Sequence, residues 1–191
     1  MKIRLAVSTI QTDSIVDGEG IRSVIWTQGC GHNCKGCHNP ETHSFCDGLL
    51  IDVEELKKKI SVLEGQDGVT FSGGDPMEQA GACAELAEYC KTLGLNVWCY
   101  TGYTFEELLR KGKFVPDIVR FLQSIDVLVD GKFILEEKSY DVVFRGSKNQ
   151  RLIDVPNSLK SGFAVELERY KNTYSGFQLN FETNRKCRLY V

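Results

Sequence analysis

Three observations predict an α/β protein built as a partial, open βα barrel of about six units. Strands alternate with helices along most of the chain, which favours a parallel sheet because crossover connections bring successive strands side by side. Glycine-bearing turns recur at the ends of those strands. The length decides the closure: an eight-unit barrel needs about 250 residues, or about 31 per unit, and 191 residues supply about six.

Taken in order, Lys2 to Ile10 and Ile21 to Thr27 read as strands, and the second runs straight into a cysteine-rich loop. Between them, Gly18 and Gly20 mark a tight turn; with no helix following, a phosphate-binding loop is the weaker reading. After Pro40 a polar loop precedes a helix over Asp52 to Leu63, with Asp52 and Glu55 as a capping box and Val53, Leu56, Ile60 and Leu63 as its apolar stripe. Gly68 to Ser72 is a short strand ending in Gly73-Gly74-Asp75-Pro76, and Met77 to Leu93 carries apolar residues at helical spacing. Asn96 to Tyr100 is the next strand, ending in Thr101-Gly102-Tyr103, and Thr104 with Glu107 caps a helix to about Leu109. Pro116 opens a helix to Gln123, and Ile125 to Val129 forms a strand closing on Asp130-Gly131. Val142 to Arg145 and Leu152 to Val155 bracket a polar turn. The barrel domain is expected over residues 1–159. Residues 160–191 form a C-terminal extension without an assigned role, with possible short strands at Ala164 to Leu167 and Gln178 to Phe181.

Composition narrows the function. A hydrophobic content of 42% with 26% charged residues fits a soluble globular chain, and no apolar run approaches the roughly 18 residues that cross a bilayer. Lys2, Arg4, Ser8 and Thr9 interrupt the N-terminal apolar stretch, so a signal peptide is not expected and the chain is placed in the cytoplasm. A net charge of -3 with scattered Lys and Arg argues against a nucleic-acid partner. Of the eight cysteines, Cys83 and Cys90 fall on a helix and Cys99 ends a strand, where a thiol acts as a small hydrophobe. Cys46 and Cys187 are isolated. A reduced compartment makes metal or redox chemistry the expected use of the rest.

That chemistry centres on Cys30, Cys34 and Cys37, a C-x3-C-x2-C run between glycine-flanked turns. Thiolates are soft ligands for zinc or iron-sulfur clusters. Two readings follow: a zinc knuckle completed by His32 or His38, or a four-iron four-sulfur cluster held by three cysteines with one iron open to a small molecule. Cys30 to Cys37, Gly73 to Pro76, Thr101-Gly102 and Asp130-Gly131 all fall at strand C-termini, where α/β sheets bind ligands. A purely structural zinc has no use for that coincidence.

These residues resemble the radical S-adenosylmethionine (SAM) enzymes, whose marker is the C-x3-C-x2-C loop after the first barrel strand. Val16-Asp17-Gly18-Glu19-Gly20-Ile21-Arg22, Gln28 through Thr42, Ser72 through Pro76, Tyr100 through Tyr103, Asp130-Gly131 and Phe144 through Arg151 together resemble, within that family, the activating proteins of anaerobic (class III) ribonucleotide reductases. The likeness covers about residues 5 to 158. It implies a 4Fe-4S cluster on Cys30, Cys34 and Cys37 whose open iron chelates SAM. It further implies reductive cleavage to methionine and a 5′-deoxyadenosyl radical, with a glycyl radical made on the reductase. A one-electron reductant such as flavodoxin or ferredoxin is expected. Gly73 and Gly74 would admit the methionine end, and Asp75 would accept from its amino group; a plain left-handed turn is the alternative for the glycines. Gly36, Cys37 and His38 would border the adenosyl group, with His38 as the stacking residue because Gly36 stands where many relatives carry an aromatic. Thr101 and Asp130 would hold ribose, carboxylate or a cation, or act simply as caps. Arg145, Asn149 and Arg151 would bind the SAM carboxylate or dock the reductase, or form an ordinary charged turn. Activation of another glycyl-radical enzyme, of the pyruvate formate-lyase type, is the neighbouring reading. A non-catalytic iron-sulfur or zinc module is the reading from a different class.

Overall fold

A computed structural model describes residues 1–7 and 9–171. The expected strand over Gln178 to Phe181 and the isolated Cys187 lie outside the described residues. The elements are β1 (Lys2–Leu5), β2 (Gln11–Ser14), β3 (Arg22–Thr27), β4 (Leu49–Asp52), α1 (Val53–Ile60), β5 (Gly68–Gly73), α2 (Ala80–Thr92), β6 (Asn96–Tyr100), α3 (Phe105–Gly112), α4 (Pro116–Ser124), β7 (Val127–Asp130), β8 (Arg151–Asp154), α5 (Val155–Ser161) and α6 (Glu168–Lys171).

They form a mixed α/β fold on one open sheet, ordered β4-β1-β3-β5-β6-β7-β8, with β2 also pairing to β3. The centre is parallel: Arg22 to Thr27 of β3 run beside Gly68 to Gly73 of β5, β5 beside β6, and β6 beside β7. The flanks are antiparallel, with β4 on β1, β2 on β3 and β8 on β7. This corrects the expected run of about six repeated units. Four parallel strands are joined by three crossovers, because α3 and α4 both lie between β6 and β7 and the outer strands pair antiparallel.

Local chemistry explains the elements. Thr104 accepts from the Glu107 backbone while Glu107 accepts from the Thr104 backbone, a complete capping box on α3. Asp52 instead caps α1 through the Glu54 backbone, and Glu55 is drawn aside to Lys59 at 2.9 Å. The period-2 alternation of β6 to β8 separates two cores. Val97, Cys99, Leu128 and Ile153 face the main core with Leu86, Phe105, Leu108, Phe121 and Leu122. Trp98, Val127, Val129 and Leu152 face the other side, where Tyr100, Phe144, Leu167 and Tyr170 pack on them. Cys83, Cys90 and Cys99 are buried in the main core.

On the second face, Arg22 plugs the sheet. Its guanidinium donates to the Glu19, Val69 and Asn96 carbonyls and to Thr70, and sits 5.3 Å from the Trp98 ring centre. Burial pushes it down to about 10. Gly18 passes so close that a Cβ there would lie 2.8 Å from Arg22 Cδ and 2.9 Å from Trp98. The Val16 to Arg22 motif is thus the strap that carries Val16 and Asp17 across this face.

The 159/160 boundary falls inside α5. Beyond it, the Val165 carbonyl accepts from Asp154 N, Leu167 N donates to the Leu152 carbonyl, and Tyr170 packs on Trp98 and Phe144. Residues up to 171 therefore brace β8 and the second face.

Candidate functional site

Beyond the C-terminal ends of β3, β5 and β6 lies a cavity of about 410 Å³. Its wall includes Cys30, Cys34, Cys37, His38, Gly73, Gly74 and Thr101, and also Trp26, His43, Tyr100, Phe133 and Phe144. Period-2 alternation puts Trp26, Ser72 and Tyr100 on the same sheet face, so three strands contribute one wall.

The cysteine loop leaves β3 at Thr27 and reverses through Asn33 (φ 49) and Gly36 (φ 74), residue types that tolerate the left-handed region. Cys37 N donates to the Cys34 carbonyl at 3.1 Å, closing the turn that carries two thiols. All three thiols are free and half-buried, and burial pushes Cys30 and Cys34 up. By contrast Cys90 is pushed up to about 12 by full enclosure in the core, and Cys83 and Cys99 are also raised. Asn39 N already donates toward Cys37 Sγ at 3.4 Å.

The glycine turn is fitted against the start of this loop. Gly74 N donates to the Thr27 carbonyl at 2.7 Å and Asp75 N to the Gly29 carbonyl at 2.9 Å. A Cβ on Gly74 would lie 2.4 Å from Gly29 O, and one on Gly73 (φ +100) would lie 2.5 Å from Thr27 O. Both positions need glycine for close backbone approach, and Gly73 needs it for its dihedral as well.

Asp75 lies outside the cavity wall. Its buried carboxylate accepts from Met77 N at 2.9 Å, Gly102 N at 2.9 Å and Thr101 Oγ1 at 2.9 and 3.0 Å, and pairs with His32 Nε2 at 2.7 Å. The His32 ring also meets Tyr103 edge-on at 4.4 Å and covers Gly102, where a Cβ would strike it at 2.4 Å. One carboxylate thus ties three motifs together: the cysteine loop, the glycine turn and Thr101-Gly102-Tyr103. Sequence reasoning considered His32 only as a metal ligand and missed this tie. The signal for it was the Gly102 that leaves room for a ring.

Asp130 is likewise committed to the protein, accepting from Phe105 N at 2.8 Å and from Arg151 at 2.5 and 3.0 Å. Arg151 also pairs with Glu106 at 2.8 Å. Arg145 reaches the cavity wall, but its guanidinium donates to the Val143, Gln150 and Tyr170 carbonyls. Asn149 donates to the Lys132 carbonyl. Gly36 packs under Leu135, where a Cβ would lie 2.9 Å from Cδ1, and not on the cavity wall. His38 packs against Phe133 with ring centres 4.8 Å apart and planes tilted by 50°, a partner the sequence did not reveal.

The donor set of the loop fits an iron-sulfur cluster. Three free thiols spread along one cavity wall, one already met by a backbone donor, match the soft donor set and sulfur hydrogen bonding of an iron-sulfur centre. Among the described residues no helix is long and apolar enough to cross a membrane.

Comparison with known proteins agrees. The family model described as a 4Fe-4S single cluster domain matches residues 16–153. A protein of Vibrio cholerae named anaerobic ribonucleoside-triphosphate reductase-activating protein is 38% identical over 144 residues, spanning 71% of this chain and 89% of that one. Proteins of the same name from Haemophilus influenzae and from the bacteriophage T4 are 34% and 32% identical, over 71% and 72% of this chain and 89% and 86% of theirs. The chain belongs to the family of anaerobic ribonucleoside-triphosphate reductase-activating proteins.

Proposed function

We propose that this chain activates an anaerobic ribonucleoside-triphosphate reductase by generating a glycyl radical on it, and that the open sheet with its crossover helices is a partial barrel of the radical SAM type. The observation that carries this reading is that Cys30, Cys34, Cys37, Gly73 and Gly74 line one cavity beyond the ends of neighbouring parallel strands. Cys30, Cys34 and Cys37 would hold the 4Fe-4S cluster. Cluster and SAM together would supply one-electron cleavage of the sulfonium to methionine and a 5′-deoxyadenosyl radical.

The chain's own residues position the reactants and exclude water. Gly73 and Gly74 keep the wall beside Cys30 free of side chains, which leaves space for the methionine end. His38, backed by Phe133, offers an aromatic surface for adenine, with Cys37 alongside. Gly36 acts from outside the wall, by letting the loop pack under Leu135. Thr101 faces the cavity, while Asp75 and Asp130 act as positioning residues, since their oxygens already accept from backbone amides and neighbouring side chains. Residues 1–159 form the catalytic unit, and the beginning of the 160–191 extension braces its second face. A cytoplasmic flavodoxin or ferredoxin would deliver the electron.

The test is anaerobic reconstitution with iron and sulfide, followed by dithionite, SAM and the purified reductase. Release of 5′-deoxyadenosine together with a glycyl-radical signal in electron paramagnetic resonance (EPR) is the expected result. Tightly held zinc with no SAM turnover would overturn it in favour of a structural metal module.

A further inference from the structure

His43 lines the cavity and carries a buried ring nitrogen without a partner among the described residues. It follows the short helical turn Pro40–Thr42, which is stitched to the start of the cysteine loop. The Thr42 carbonyl accepts from Gly29 N at 2.8 Å and the His43 carbonyl from Cys30 N at 3.1 Å. The Gln28 amide donates to the carbonyls of Glu41 and Ser44 on either side. The backbone that carries His43 is therefore held in place, and the residue lines the same cavity as Cys30, Cys37 and Asn39. Its Nε2 is buried and has no hydrogen-bond partner among the described residues. Buried polar atoms are nearly always paired, so an orphan nitrogen on a residue of the cavity wall points to a bond completed when the site is filled.

The same turn already aims one donor at ligand sulfur, Asn39 N toward Cys37 Sγ at 3.4 Å. We infer that His43 Nε2–H is a second such donor, hydrogen-bonded to a sulfur of the cluster carried by Cys30, Cys34 and Cys37, and that it raises the reduction potential of that cluster. This rests on the cluster assignment made above. Reduction adds negative charge to the sulfurs, so a donor there favours the reduced form. It makes electron entry easier without touching SAM.

The test is an EPR-monitored redox titration of the reconstituted protein without SAM, comparing wild type with His43→Phe, which keeps an aromatic ring and removes the donor. The equilibrium constant for reduction should fall about tenfold, a shift of about 59 mV to lower potential for one electron. His43→Gln, which retains an N–H donor, should recover part of the shift. Iron per chain is measured first. Should His43→Phe fail to load, pulsed EPR on wild type labelled with ¹⁵N-histidine decides: a histidine nitrogen coupling to the reduced cluster that disappears in His43→Gln supports the inference. A coupling that persists in His43→Gln, or that is absent from wild type, overturns it. An unchanged potential in a loaded His43→Phe overturns it too, whether SAM affinity falls, which assigns the donor to SAM, or stays the same, which leaves His43 as packing. A wild type that takes up no cluster would instead sink the functional reading itself.

Discussion

Replacing Gly74 by Ala should damage the cluster loop and the SAM site together. The added Cβ would sit 2.4 Å from the Gly29 carbonyl oxygen and 2.8 and 2.9 Å from Gly29 C and N, about 1 Å inside an unstrained contact. Backbone atoms have no rotamer by which to retreat, so Gly29 must move and Cys30, the next residue, must follow. The bonds from Gly74 N to Thr27 O and from Asp75 N to Gly29 O stretch as it does. Overpacking of this kind costs about 1–3 kcal/mol, which for a chain of this size lowers the melting temperature of the metal-free protein by about 2–4 °C per kcal/mol. A displacement of about 1 Å at the reacting site should lower SAM cleavage roughly 100-fold. Gly31→Ala is the matched control, because a Cβ there meets nothing within 4 Å. Thermal melts, iron content and 5′-deoxyadenosine release are measured on both variants. If Gly74→Ala melts, loads iron and cleaves SAM as Gly31→Ala does, the close approach is not what holds this site together.

Alanine at Cys30, Cys34 or Cys37 should abolish cluster assembly, whereas Cys83→Ala and Cys90→Ala should load iron normally and lose only stability; iron analysis separates the two groups, and loss of iron in Cys83→Ala would break the division. Asp75→Asn should lower stability by about 2 kcal/mol, because an amide nitrogen must then face a hydrogen-bond donor. The freed His32 should also speed iron loss to a chelator, so an unchanged chelation rate would show that the tie does not steady the loop. Burial raises the Cys83, Cys90 and Cys99 thiols, with Cys90 moved from 9.0 to about 12. Groups raised in the folded state contribute stability that is complete below the unfolded value and lost as pH climbs through the folded one. Denaturant melts of the metal-free protein should therefore weaken from pH 9 toward pH 12, by up to about 1.4 kcal/mol per pH unit for each such thiol. Cys90→Ala should flatten that slope, and an equal slope in both proteins would refute the assignment.

Elements specified by neighbouring residues were legible in the sequence. The Thr104 and Glu107 capping box, the Pro116 helix start and the strand-turn-helix run from Gly68 to Thr92 all stand close to expectation. Elements made by distant pairing were not. Leu49–Asp52 reads as part of a polar loop, yet it is a strand because β1, more than forty residues earlier, offers it a free edge. The expected strand over Lys2 to Ile10 stops at Leu5, and the chain resumes pairing at Gln11. Val142 to Arg145 looks β-forming, but Phe144 takes φ 55 and packs on Trp98 and Tyr170, so a tertiary contact overrides local preference. In the site, the cysteines and glycines were readable because soft ligation and close approach restrict residue type. Asp75 and Asp130 were harder to read, since a carboxylate at a strand end can serve a ligand equally well as the first amides of a helical turn packed against it. Here it is the amides of Met77 and Phe105 that they serve.

The placement of those carboxylates bears on the chemistry the cavity can host. A strand-end carboxylate turned into the cavity would hold water and offer a proton acceptor, and Asp17, on the strap before β3, is the carboxylate residue that does line it. Asp75 and Asp130 instead spend their charge behind the wall, on backbone amides, His32 and Arg151. What the wall presents is thiols, glycine backbone and aromatic rings together with the polar residues Asp17, Asn39, Ser72, Arg145 and Gln150, and His43 Nε2 is an unpaired buried nitrogen among the described residues. The thiols and rings suit soft ligation and stacking. The carboxylates still matter, because Asp75 fixes His32 and with it the loop between Cys30 and Cys34. Charge thus shapes this site indirectly, through where it holds the backbone, and the reacting groups meet a wall from which the protein's own strand-end carboxylates have been withdrawn.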